Sequence, residues 1–204
     1  MRGLNAAPFW GHFMAGETAL VTSFFDGAVG GPGVGPAYRF GASFKPLQRN
    51  EPVVVDYPGI FHGYIVDMTR ILVVGRLPEK LVRAHRVALE IQETLIREVR
   101  PGWTAAAVYE RARTLAGEAG LAAHFMGHDN PVRFVGHGVG LELNEMPVLA
   151  PGFETELSPG MVFALEPKFA FPGAGVVGIE NTFLVTADGL ERLTNHPDAL
   201  QELS

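Results

Sequence analysis

Apolar residues in this chain of 204 residues form short continuous runs at both ends and a helical stripe in the middle. Residues 53–55 (VVV), 64–66 (YIV), 161–165 (MVFAL) and 176–185 (VVGIENTFLV) are rich in β-branched and aromatic side chains, which predicts buried strands. Pro58-Gly59 between the first two is a turn signal and makes a hairpin of them. Residues 6–15 (AAPFWGHFMA) are also strand-like, with Gly16 as a turn. Leu81, Ala84, Ala88, Ile91, Leu95 and Val99 recur at steps of three and four, the spacing of one helix face. That helix opens at Leu77-Pro78 and stops at Pro101-Gly102. Thr104 is a fitting N-cap for a second helix with Ala105, Val108, Ala112, Leu115 and Ala119 inward and Gly120 as its stop. Strands, two helices, then strands suit an α+β fold, with helices covering one face of a curved antiparallel sheet.

Residues 27–36 (GAVGGPGVGP) read as a surface loop, with a flap at a site mouth as the functional alternative. The length suits one large domain over residues 1–204 with its own core. A net charge of −6 without a Lys/Arg run argues against a nucleic-acid partner. The absence of cysteine excludes disulfides and thiolate zinc sites. No apolar stretch is long enough to span a membrane, and the N-terminus lacks the apolar core of a signal peptide, so a cytoplasmic protein is expected.

The polar residues inside the apolar runs carry the chemistry. Asp56 and Asp67 lie eleven residues apart, each following an apolar run. A buried carboxylate is costly unless paired or bound to metal, and two neighbours repel unless a cation lies between them. The alternative is that Asp67 pairs with Arg70 while Asp56 sits at a strand end in water. Glu166 and Glu180 lie in two further apolar runs, and His137 sits between Gly136 and Gly138. These glycines allow close backbone approach or positive φ. Four acids and a histidine so placed point to a metal centre. His128, in a polar stretch with Asp129 and Asn130, is a candidate for the substrate pocket. His85 lies among charged neighbours and reads as solvated.

The order Asp56, Asp67-Met68-Thr69-Arg70, Gly136-His137-Gly138-Val139-Gly140, Pro159-Gly160-Met161, Glu166-Pro167 and Ile179-Glu180 resembles the pita-bread metallopeptidases of family M24. That family holds the methionine aminopeptidases, prolidases and Xaa-Pro aminopeptidases. The short step from Glu166 to Glu180 is closer to the prolidase and Xaa-Pro aminopeptidase branch. The resemblance implies a pita-bread fold of two related α–β halves, and a catalytic domain that forms the C-terminal part of a longer protein. It implies two divalent metal ions (Mn, Co, Zn or Fe), manganese among the first expected. Asp67 and Glu180 would bridge them, Asp56 would complete one, and His137 and Glu166 the other. A water between the ions would be the nucleophile, with Glu166 shuttling its proton. Thr69 and Asn181 would orient the carboxylates. The implied substrate is a short peptide, Xaa-Pro above all, and a homodimer is compatible with the family.

Three positions depart from the family pattern. Asn144 stands before Glu145 where active members carry a histidine, no histidine lies between His12 and His62, and Gly178 replaces a usual arginine. Asn144 can donate a hydrogen bond but cannot move a proton, so weak activity is expected. The readings are therefore a metallopeptidase first, then a hydrolase of a non-peptide C–N bond, or a metal-binding pseudo-peptidase acting as a binding module.

Overall fold

A computed structural model describes residues 12–22, 27–36 and 39–204. Most of the strand-like stretch expected over 6–15 thus lies outside the described residues. The described strand β1 is His12–Ala15, followed by a short 3-10 turn at Gly16–Leu20. Next come β2 (Val53–Asp56), β3 (Gly59–Phe61), β4 (Tyr64–Val66) and β5 (Thr69–Val74). Helices α1 (Glu79–Glu98) and α2 (Ala105–Glu118) precede β6 (Gly136–Gly138), β7 (Glu145–Val148), β8 (Val162–Leu165) and β9 (Lys168–Phe171). The chain closes with β10 (Gly175–Gly178), β11 (Asn181–Val185), β12 (Leu190–Arg192) and β13 (Gln201–Leu203).

Two sheets carry the structure. One has the order β1-β2-β5-β13, with only its last pair parallel, and the other has the order β12-β11-β8-β6-β7. An isolated antiparallel bridge between Thr69 and Glu180 joins them, so two of the predicted acidic stretches meet at the seam. β9 and β10 form a two-stranded ribbon, and α1 lies across it. The expected α+β arrangement of helices against antiparallel strands is what the chain adopts.

The hairpin differs from the sequence expectation. β3 continues beyond Pro58-Gly59, and the turn falls at His62-Gly63, both at positive φ (51° and 86°). Asp56 pairs with Thr69 in the register, so Asp67 lies in the break between β4 and β5. Freed from a strand's alternation there, its carboxyl turns into the protein and is buried.

Both helices follow their stripes. Leu81, Ala84, Ala88, Ile91 and Leu95 are buried on α1, and Gln92 Nε2 donates to the Leu165 carbonyl at 2.9 Å, tying the helix to β8. Thr104 Oγ1 accepts from the Ala107 amide at 3.1 Å, the expected cap of α2. Phe163, Phe169 and Phe183 are sealed from solvent in the core. The glycine-rich segment 27–36 is irregular, but Ala28 and Val29 are buried, so its inner side is core rather than surface.

Candidate active site

Glycines on either side of His137 bring three strands into close contact. A Cβ on Gly136 would lie 2.1 Å from the Ala164 carbonyl of β8, and one on Gly138 would lie 2.4 Å from the Met146 carbonyl of β7. Neither has a positive φ, so close strand approach is the reason for glycine here. The approach holds His137 inward and buried. Its Nδ1–H donates to the Gly138 carbonyl at 3.1 Å. That bond fixes the tautomer and leaves the Nε2 lone pair facing the acids. Nε2 lies 3.6 Å from Glu166 Oε1 and 3.9 Å from Glu180 Oε1.

The acids are fixed by their own partners. Thr69 Oγ1 donates to Glu180 Oε2 at 2.6 Å across the seam. Asp67 Oδ1 accepts from the Met68 amide at 2.9 Å, while its backbone exchanges two bonds with the Thr182 hydroxyl. Asp67, His137 and Glu180 each offer a ligand atom, and these atoms lie within 4.8 Å of one another. Burial, aided by the Asp56 charge, pushes the Asp67 carboxyl up to about 8, with Lys168 pulling the other way. Burial and the Asp67 charge likewise raise Glu180 well above the carboxylate range.

Lys168 is the member that sequence reasoning missed. Its ammonium reaches Glu166 Oε2 at 2.6 Å, Glu180 Oε2 at 3.0 Å and Asp56 Oδ2 at 3.1 Å, with the side chain 1% exposed. Burial alone would pull this ammonium down, but the charges of Asp56, Glu166 and Glu180 outweigh it and hold the group well above the usual lysine range. A lysine in the apolar stretch Glu166-Pro167-Lys168-Phe169-Ala170-Phe171 carries the same signal that marked the acids, a charge where apolar residues are expected. The cluster therefore has two sides. Asp56 Oδ2, Glu166 Oε2 and Glu180 Oε2 hold the ammonium, while Asp67, Glu166 Oε1 and Glu180 Oε1 face the imidazole. The imidazole side fits a divalent ion, since it joins carboxylate oxygens to a lone-pair nitrogen.

The remaining candidates scatter. Arg70 does not pair with Asp67. It donates to the carbonyls of Thr69, Glu180, His196 and Pro197 and meets Asp198 at 3.1 Å, locking the C-terminal segment to the seam. Thr69 orients a carboxylate as expected. The Asn181 side chain bonds none of the four clustered acids among the described contacts: it accepts from Arg70 and Thr194 and donates to Gln92 and to Asp198 outside the cluster. Asn144 is exposed ahead of β7, with no hydrogen bond to the carboxylates among the described residues. His128 is exposed beside Asp129, at 3.0 Å, and lines a cleft with Leu20 and Ala28. His85 is buried rather than solvated, its Nε2 meeting the Asp198 carbonyl at 3.2 Å.

A second cleft, of about 700 Å³, lies along β4 and the loop before β7, with none of the four clustered acids in its lining. Phe61, Tyr64, Leu141 and Met146 line it, and Val66 and Thr182 connect it to Asp67.

The profile of metallopeptidase family M24 matches residues 8–187. The chain is 37% identical over 153 residues to an Xaa-Pro dipeptidase of Pyrococcus furiosus, covering 75% of this chain and 42% of that protein. It is 35% identical over 161 residues to a probable dipeptidase PepE of Mycobacterium bovis, covering 78% of this chain and 41% of that one. A solved dipeptidase of Pyrococcus horikoshii superposes with a TM-score of 0.77 at 30% identity, over 94% of this chain and 48% of the other. The chain thus spans about two fifths of the length of the curated relatives it matches.

Proposed function

The chain belongs to metallopeptidase family M24, and from that premise we propose that it hydrolyses short peptides, Xaa-Pro dipeptides foremost, with a divalent metal ion as cofactor. The observation that carries this reading is the buried set Asp67, His137 and Glu180, whose ligand atoms lie within 4.8 Å of one another. Those residues would hold the ion, with Glu166 Oε1 beside them. The resemblance leads to two ions, and oxygen donors with one imidazole suit Mn, Co, Zn or Fe without selecting among them. Bound there, such an ion supplies a Lewis acid for the peptide carbonyl and lowers the pKa of water toward neutrality.

The protein's own groups do the rest. The Gly138 carbonyl keeps the His137 lone pair aimed at the centre. Glu166 keeps one oxygen on Lys168 and the other toward the centre, where it can take a proton from water and pass it to the leaving nitrogen. The apolar cleft of Phe61, Tyr64 and Met146 would exclude water and seat a small apolar side chain or proline ring. Asn144, at the loop before β7, would donate a neutral hydrogen bond to the substrate.

A second reading, a binding module that no longer turns peptides over, is favoured by Lys168, which already neutralises part of the acid cluster. A panel of Xaa-Pro and other dipeptides, incubated with Mn²⁺ or Co²⁺ and separately with EDTA, separates the two. Metal-dependent release of amino acids, absent from His137→Ala, is expected. A metal-loaded protein that turns over no peptide would leave the binding module standing.

A further inference from the structure

A buried lysine among metal-ligand candidates is the least expected feature of this centre. We propose that the Lys168 ammonium permanently occupies the position of one of the family's two ions, so that this centre takes a single divalent ion on its imidazole side. The inference rests on the reading of the site as a divalent-metal centre, and fixes how many ions that centre holds.

The geometry divides the ligands cleanly. Glu166 and Glu180 each give one oxygen to Lys168 and turn the other toward His137. Asp56, which the family resemblance assigns to one ion alone, meets Lys168 at 3.1 Å. A divalent ion needs its oxygens at about 2.1 Å. To use Asp56, Glu166 Oε2 and Glu180 Oε2 it would have to enter the space that the ammonium fills, beside a like charge.

The lysine is also built in rather than caught there. Its side chain is 1% exposed, so it has no open route to solvent. Its backbone lies opposite Gly178 in the β9–β10 ribbon, and a Cβ on Gly178 would come within 2.7 Å of Lys168 Cγ. It would also come within 2.6 Å of the Pro167 carbonyl and 2.7 Å of Lys168 Cα, so glycine, at the position where the family pattern carries an arginine, lets the two ribbon strands approach closely beside the lysine stem.

The consequence is chemical. Asp67 and Glu180 do not bridge two ions, and no water can be activated between a pair of them. Any hydrolysis relies on one ion, Glu166 and the fixed positive charge of Lys168.

The test counts ions. Protein stripped with a chelator is dialysed against Mn²⁺, the bound metal is measured by elemental analysis, and its electron paramagnetic resonance spectrum is recorded. Wild type should hold one Mn²⁺ per chain with the six-line signal of an isolated ion. Lys168→Ala, which clears the space, should hold two with an exchange-coupled signal, whereas Lys168→Met, which fills it without charge, should still hold one. Two coupled ions in wild type would overturn the proposal, and so would a folded Lys168→Ala that gains none. Should Lys168→Ala fail to fold, the wild-type count decides alone. Two ions with peptide turnover would sink this inference and leave the peptidase reading intact. One ion without turnover would do the reverse, and no ion at all would end both.

Discussion

Replacing Lys168 by methionine should unfold the metal-free protein at a markedly lower temperature. The substitution keeps the length of the side chain but removes a cation that three carboxylates contact, at 2.6, 3.0 and 3.1 Å. Glu166 and Glu180 are buried, and Asp56 is half-buried, so water cannot fully replace the ammonium. Removing one partner of a buried ion pair costs about 3–5 kcal/mol, because the other charge is left uncompensated. For a chain of this size each kcal/mol lowers Tm by about 2–4 °C, so the expected fall is roughly 6–20 °C. The assay is thermal unfolding followed by circular dichroism at pH 8 in EDTA. The loss should shrink at pH 5, where Glu180, whose carboxyl burial already raises well above the usual range, is neutral. Added Mn²⁺ should recover part of it, since binding to the native state alone stabilises. A Tm within about 2 °C of wild type in EDTA at pH 8 would refute the view that Lys168 neutralises this cluster.

Three further outcomes follow from the same contacts. The Asp67 carboxyl, raised to about 8, keeps a proton in the folded protein that the unfolded chain loses near its ordinary value of 3.8. Its contribution to stability is full below that value and lost as pH rises through about 8, so metal-free protein should resist urea better at pH 5.5 than at pH 8.5, and equal or reversed midpoints would contradict the shift. Thr69→Val removes the 2.6 Å bond to Glu180 and should cost about 1–3 kcal/mol and weaken metal binding roughly 10–100-fold; unchanged Mn²⁺ affinity would show that Glu180 needs no such support. Asn144→His should raise kcat on Xaa-Pro dipeptides by on the order of 100-fold with little change in KM, and no gain would remove Asn144 from the substrate contact.

The sequence made the helices and the five ligand candidates legible for one reason: each broke or kept a simple pattern. Helix α1 runs from Glu79, just after the predicted opening at Leu77-Pro78, to Glu98, just before Pro101. Thr104 caps α2 because its hydroxyl is placed for the Ala107 amide. Asp67, His137, Glu166 and Glu180 stood out as polar residues in apolar runs, and all four are buried together. What was not legible depended on distant parts of the chain. Pro58-Gly59 has the stronger turn composition, but the reversal occurs at His62-Gly63, where a histidine in the left-handed region leaves no sequence mark. His85 looked solvated among charges, yet the C-terminal segment that Arg70 anchors covers it. Lys168 was legible in principle. Four acids in apolar runs imply cations, and one of those cations, Lys168, lies within the chain itself, in the apolar run that follows Glu166.

The central claim is that Asp67, His137 and Glu180 hold a divalent ion. Calorimetric titration of Mn²⁺ into chelator-stripped protein at pH 8, on wild type and on His137→Ala, addresses it directly. Wild type should bind, and the variant, deprived of the imidazole nitrogen that faces the acids, should bind at least about 10–100-fold more weakly, as the loss of even a supporting group of a metal site does. Equal affinity in the two proteins would contradict the claim and place any bound metal elsewhere.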